Sequence, residues 1–376
     1  MYLLKTRLSL FRFFPGASAL PLILVSVICF YIICIAGHKS ISQTFFLIPA
    51  VCIFLFGCTV TAEFPQSYIE FGLWPQSLKA ENVKITEEQT KINGFSAFKG
   101  SDNNFYIKVE SAESYSSERN KYKFQDGTEI ENGKEYFFRL EPIKWRILSG
   151  SGTEKALLFS EKIITGGIKF YKLKDSEREF IPGTGYLYKP REIDGNKIHP
   201  NNYEFSEVRA FLNGLNGESY GVSDFSEKGF FDIAFSEEEK KSILTSKIDN
   251  SVNSTTDYTG TCKKAYGYAS NDTEDKIFLL SEYEITNPSY GFKNYDESDV
   301  FRKKTVTDYA KASGAFAWMS DDEFYNLGIY YLRSPYLAKA NYCIQDVNQY
   351  GDAKRTHEII YPPTPSVCPA MFINMK

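Results

Sequence analysis

From Ile69 to Lys376 the chain alternates short apolar runs with polar breaks rich in Gly, Asn and Ser, a pattern of many short elements. The most concentrated run is Ile277–Leu280, inside KIFLLSEYEIT (Lys276–Thr286). It is uncharged and flanked by Asp275, Lys276 and Ser281, so it predicts a buried central strand. A sibling string, ALLFSEKIIT at Ala156–Thr165, follows its apolar run with the same Ser-Glu pair: Ser160-Glu161 here, Ser281-Glu282 there. The two are expected to lie side by side in one sheet. Alternating segments at Asn104–Glu110 and Tyr136–Leu148 predict further strands, separated by turn signals at Gly94, Asp126-Gly127, Asn132-Gly133 and Gly150–Gly152. Tyr171–Pro200 has no period and reads as a long loop.

Helical spacing follows. Ser206–Gly217 opens with an N-cap serine, sets Val208, Phe211, Leu212 and Leu215 on one face and stops at glycines. Ser236 and Glu239 stand in capping-box spacing, with Ile243 and Leu244 facing inward. Asn250–Asp275 is polar and reads as a surface excursion. Ser281 starts a short helix, Lys303–Phe316 predicts another, and Ser320 with Glu323 repeats the capping-box spacing. Strands return at Ile329–Tyr336, Asn341–Val347 and Ser366–Asn374. The expected fold class is α+β: a twisted, mostly antiparallel sheet with flanking helices and long loops, forming a single domain over residues 69–376.

The N-terminal residues differ in kind. Ala17–Ala36 is an uncharged run of 20 residues, long enough to cross a bilayer as a helix. Phe45–Phe56, with 12 residues, is too short to span but suits the apolar part of a signal peptide. It leads into Leu55-Phe56-Gly57-Cys58, which resembles a bacterial lipoprotein box, making Cys58 the candidate lipidation site. Used together the two blocks would leave Cys58 on the wrong side of the membrane. A translation start near His38-Lys39 resolves this; a spanning anchor without lipidation is the other arrangement. Residues 1–58 therefore read as an export region and 59–68 as a tether.

Charge agrees with that division. The first 58 residues hold four basic side chains (Lys5, Arg7, Arg12, Lys39) and no acidic one, so the excess of 47 Asp and Glu over 43 Lys and Arg falls on the rest. This is the asymmetry of an export signal ahead of an acidic exported domain. A net charge of -4 excludes nucleic acid as an expected partner, since that partner needs a basic footprint. The aromatic share of 16% comes mostly from 31 Phe and 26 Tyr and suits strands.

The ordered strings FGLWPQS, EPIKWRIL, ALLFS, NNYEFSEVRAFLNG, KGFFDIAF, DKIFLLSEYEIT, TVTDYAKASGA, YYLRSP and VCPA resemble an uncharacterised family of bacterial exported proteins, a domain of unknown function common in surface lipoproteins. Tyr331 departs from the Trp usual before LRSP, and Cys368 from the Val or Arg usual before Pro-Ala. The layout is similar, more remotely, to C-type-lectin-like folds, which implies a loop-rich face where ligands sit. The resemblance also makes the strands of Cys343 and Cys368 neighbours, implying a disulfide between them with Cys262 left over; export permits such a bond.

The chemistry is sparse. His199 and His357 lack companions at metal spacing and read as exposed or loop residues, so no metal and no cofactor are expected. There is no Gly-x-Ser-x-Gly elbow, no His-Glu-x-x-His and no phosphate loop. The acidic clusters Asp296–Asp299 and Asp321–Glu323 lack calcium-loop spacing and read as a solvated loop or helix start. Arg333 and Arg209 read as structural, Arg333 as a buried group ordering the closing loops through carbonyls or a carboxylate. Trp145 and Trp74 read as core. The leading expectation is a lipid-anchored bacterial surface protein, displayed outside the cytoplasmic membrane, that binds an extracellular glycan or protein without catalysis. An envelope enzyme acting on glycans, with Glu282 and Asp346 as acid and base, is the alternative; a structural envelope protein is a third.

Overall fold

The structure is a computed structural model describing residues 67–116, 121–172, 174–182, 185–256, 270–336, 341–353, 355–358 and 366–376. Cys58, both apolar blocks and Cys262 lie outside these residues. Pro65–Lys376 gathers into one compact unit. No helix among the described residues is long and apolar enough to cross a membrane.

The chain begins with β1 (Tyr68–Leu78), β2 (Ile85–Ile92), β3 (Phe95–Gly100), β4 (Phe105–Val109), β5 (Tyr136–Ser149), β6 (Lys155–Ser160) and β7 (Lys162–Ile163). Two hairpins follow, β8 (Arg178–Ile181) with β9 (Gly185–Tyr188) and β10 (Arg191–Ile193) with β11 (Asn196–Ile198). Then come helices α1 (Glu207–Asn213), α2 (Phe230–Ala234) and α3 (Glu237–Ser242). β12 (Ser246–Ile248) pairs with β13 (Thr273–Asp275), and β14 (Ile277–Phe278) leads into α4 (Glu282–Ile285). β15 (Thr305–Val306), α5 (Asp308–Ala312), β16 (Tyr330–Tyr336), β17 (Cys343–Val347), β18 (Arg355–Glu358) and β19 (Ala370–Asn374) complete the chain.

The expected α+β class is what the molecule adopts, a mostly antiparallel sheet with few and short helices. The main sheet runs β14-β19-β6-β5-β4-β3-β2, with β1 paired to β5. β5 is the axis: β6 pairs with its C-terminal end, β4 with its N-terminal end and β1 along its length. The sibling strings are not neighbours. β19 lies between β6 and β14, because the alternating Ala370–Asn374 run offers more residues to pair with β6 than the two-residue β14 does.

Both faces of this sheet are covered. Side chains alternate across a strand, so in β6 Ala156 and Leu158 join one core while Leu157 and Phe159 join the other. The first core is closed by α1 and α2 through Val208, Phe211, Phe230 and Phe235. Trp74 sits at its centre, within 4.9 Å of Phe230 and 5.5 Å of Phe95, and its indole N–H donates to Ile164 O at 2.9 Å. Trp145 is also fully buried there and donates to Phe71 O at 2.7 Å. The second core is closed by loops carrying Tyr122, Phe124 and Phe292, by α5 and by Tyr330 and Leu332 of β16.

Local signals explain the helices. Ser206 accepts from Arg209 N to start α1, and Gly214 ends it at φ 65, a left-handed conformation that suits glycine. Ser236 with Glu239 and Ser281 with Glu284 form capping boxes. Four further expectations fail. Tyr171–Pro200 holds the two hairpins, whose strands are too short to show a period. Lys303–Phe316 is helical only over Asp308–Ala312, because Thr305–Val306 instead pairs in parallel with β7. Ser320 and Glu323 start no helix: Asp322 bonds Phe324 N at 2.8 Å and Trp318 Nε1 at 2.9 Å, closing a turn. Asn250–Asp275 is not wholly superficial, since Asn250, Ser254, Thr255, Thr273 and Asp275 are buried. Trp74→Ala should cost about 3–5 kcal/mol, read as a lower urea midpoint at unchanged slope; a loss below about 1 kcal/mol would remove Trp74 from the centre of the first core.

Candidate functional site

Burying a charge is costly unless it is paired and hydrogen-bonded. Among the described residues five cationic side chains are nevertheless buried: Arg146, Arg302, Lys304, Lys311 and Arg333. Three of them, Arg302, Lys311 and Arg333, donate to backbone carbonyls outside the strands.

Arg302 shows how. It is fully buried, and its guanidinium donates to Ile285 O, Glu297 O and Asn294 O, each at 3.0 Å, to Gly351 O at 3.4 Å and to Lys293 O. Asp299 stands 3.8 Å away and accepts from Lys293 N and Phe301 N at 2.8 Å each. Asp299 is thus a buried cap of its own loop, not a solvated acid. Gly351 is required here: its φ is 79, and a Cβ would lie 2.2 Å from Asp299 O. Lys311 donates to Lys123 O at 2.8 Å and pairs with Asp308 at 3.0 Å. Asp308 in turn accepts from Gln125 N at 2.9 Å and Leu78 N at 3.2 Å. Neither Arg302 nor Lys311 stands out in the sequence, because their partners are loop groups without periodicity.

The three-stranded sheet β16-β17-β18 is polar inside, burying Arg333, Ser334, Gln345 and Asp346. Arg333 donates to Leu279 O at 2.7 Å, to both carboxylate oxygens of Glu284 and to Asp249 O at 3.2 Å. It thereby joins β16 to the start of α4 and to the turn after β12. Arg209 reaches Asp275 at 2.8 Å and Glu204 O at 2.8 Å. Burial raises the pKa of Asp275, while Arg209 pulls it back; Arg333 acts on the same carboxylate more weakly. Glu282 and Asp346 flank β16, Glu282 donating its N–H to Ser334 Oγ at 2.8 Å and Asp346 lying opposite Tyr331. Both side chains are fully buried.

The expected Cys343–Cys368 bridge is not formed. Cys343 is on β17 of the small sheet, whereas Cys368 precedes β19 of the main sheet and is a free, buried thiol. Its Sγ points to Ser160 O at 3.4 Å, and burial pushes its pKa up to about 12, so it is no nucleophile. His199 follows β11, half-buried, with Nδ1 2.8 Å from Asn341 Nδ2. His357 lies on β18, opposite Ile344. No group of three or more His, Cys, Asp or Glu among the described residues is placed to hold a metal ion.

Several apolar side chains stand outward on loops and hairpin tips. Phe180 and Tyr186 pair across β8 and β9 with rings 5.2 Å apart and are 59% and 47% exposed. Val300 and Phe301 project from the loop that Arg302 anchors, and Tyr283 and Tyr325 are exposed elsewhere.

Residues 153–375 match a domain of unknown function, DUF6273, and the chain belongs to that family. The match starts just before β6, so FGLWPQS and EPIKWRIL lie upstream of it. No curated protein and no solved structure matches the chain.

Two measurements test this chemistry. Cys368 should resist alkylation in the native protein and react on unfolding, with no Cys343–Cys368 bridge found by mass mapping; rapid native labelling would contradict it. His199 is held down to about 4, by burial first and Lys197 second, whereas the unfolded chain binds its proton near ~6.5. The stability this gives is whole above ~6.5 and is lost as pH falls towards the folded value. His199→Gln should therefore lose less stability on acidification than the parent; an equal loss would contradict the shift.

Proposed function

We propose that this DUF6273 member is an outward-facing, membrane-anchored bacterial surface domain that binds an extracellular glycan or protein on its loops without catalysis. The observation that carries the reading is the use of buried charge. Arg302, Arg333 and Lys311 are spent on fixing loop backbone, and preorganised loops lose little freedom when a ligand docks. Phe301 stands on the loop that Arg302 fixes and Tyr283 on α4 beside Arg333's partner Glu284, while Phe180, Tyr186 and Tyr325 are exposed on a hairpin and a turn elsewhere; all are rings of the kind that supplies rigid contact area. The acidic balance of the chain beyond Cys58 suits display outside the membrane, with Cys58 as the lipid-bearing residue. A loop-covered antiparallel sheet is also the arrangement that C-type-lectin-like domains use to present ligand sites. The enzyme reading would need Glu282 and Asp346 at a surface, and both are buried.

The test is binding of the purified chain to glycan and matrix-protein arrays. Saturable binding that falls at least about tenfold in Phe180→Ala/Tyr186→Ala or Phe301→Ala is expected. Turnover of an array glycan would overturn the non-catalytic part, and saturable binding indifferent to every exposed loop ring would overturn the loop-face part. Incorporation of labelled fatty acid, abolished by Cys58→Ala, is expected of the anchor; its absence would contradict lipidation.

A further inference from the structure

The β8–β9 hairpin, which carries Phe180 and Tyr186, is seated on the body of the protein through Tyr188, the one buried residue of its two strands among those described. The Tyr188 ring packs against Tyr342 with centres 5.3 Å apart. Its backbone is held on both sides by a single amide, that of Asn341. Tyr188 N donates to Asn341 Oδ1 at 3.0 Å, and Asn341 Nδ2 donates to Tyr188 O at 2.6 Å. Asn341 is buried just before β17, and its own carbonyl accepts from Asn201 N at 3.2 Å.

This pair of bonds decides the chemistry of a third. A side-chain amide has one accepting oxygen and one nitrogen that donates two hydrogens. With Oδ1 turned to Tyr188 N and one hydrogen given to Tyr188 O, the Asn341 amide has no freedom to flip. Its second hydrogen faces His199 Nδ1, 2.8 Å away. Nδ1 is therefore the accepting nitrogen, and the neutral ring carries its proton on Nε2. A proton added to Nδ1 sets N–H against N–H, so that bond is lost and two donors are left facing each other.

Among the described residues, the titratable groups about His199 are Lys197 on β11, Arg191 and Glu192 on β10, and Tyr188 with Lys189 at the end of β9. Tyr336 at the end of β16 and Tyr342 and Cys343 at the start of β17 complete them. Lys197 acts on the ring and, like burial, opposes its protonation.

We propose that His199 is an acid-operated latch on the β8–β9 hairpin. While the ring is neutral it completes the bonds that hold Asn341 on Tyr188. Protonation at Nδ1 turns Asn341 aside, and the hairpin with its two exposed rings comes loose while the main sheet stays folded. A ligand held by Phe180 and Tyr186 would thereby be released in acid; that consequence rests on the loop-binding reading, whereas the latch itself does not.

The test is nitrogen NMR with amide hydrogen exchange on the full chain in detergent micelles, with no ligand added. At neutral pH the imidazole nitrogens of His199 should report the Nε2–H tautomer. As His199 titrates, protection of the Tyr188 amide, referred to the intrinsic exchange rate at each pH, should fall at least about tenfold. Protection of Leu157 and Leu158 in β6 should hold over the same range. His199→Gln, a change at a half-buried residue, should keep Tyr188 protected and remove the acid step. An Nδ1–H tautomer at neutral pH overturns the proposal. So does a Tyr188 amide indifferent to the titration, an equal loss of protection in β6, or an acid step that persists in His199→Gln. None of these readouts involves a ligand, so failure of array binding and failure of the latch are told apart.

Discussion

A sheet covered on both faces by unlike materials sets the terms for this molecule. Helices α1 and α2 close one face. Loops close much of the other, and a loop laid on a core carries peptide carbonyls that water no longer reaches. Arg302 meets that demand. Five donors in a fixed fork answer carbonyls from Ile285, Lys293, Asn294, Glu297 and Gly351, something lysine or a neutral side chain has no geometry to do. Lys311 and Arg333 repeat the solution around α5 and α4. The cost of burying these charges is offset because each is solvated by backbone and by a neighbouring carboxylate.

This also bears on what the family unit is physically. The DUF6273 match covers β6, β14 and β19, but β5, the strand to which β1, β4 and β6 all pair, lies upstream of residue 153. Without β5 and β1 an edge of β6 would be unpaired and the first core would lose Trp145 of β5 and Trp74 of β1. In this chain the folding unit therefore extends upstream to β1.

The fold class, the main strands and the helix starts at Ser206, Ser236 and Ser281 were legible because each rests on a local rule, as with alternation in β5, whereas the same spacing at Ser320 and Glu323 closes only a turn. The burial of Trp74 and Trp145 followed from their apolar bulk, and that of Ile277–Leu280 from an uncharged run flanked by Asp275, Lys276 and Ser281. Strand order was not legible, since ALLF and IFLL are equally apolar and only β19 decides that they stand apart. The split of Lys303–Phe316 into a strand and a short helix depended on a distant partner, β7. The site was legible least of all. Arg333 reads as a buried clamp from its setting in YYLRSP, but Arg302, Lys304 and Arg146 sit in ordinary polar or amphipathic context. What singles them out is which carbonyls, rings and acids the fold brings against them.

The central claim is that the loops on the second face hold their shape because Arg302 satisfies their backbone. The most direct measurement is native-state amide hydrogen exchange on Arg302→Met. Predicted are a stability loss of about 3–5 kcal/mol and exchange that accelerates first in residues 285–302 and 348–353, while β5 and β6 stay protected. Unchanged exchange in those two segments, or acceleration spread evenly over the whole sheet, would contradict it.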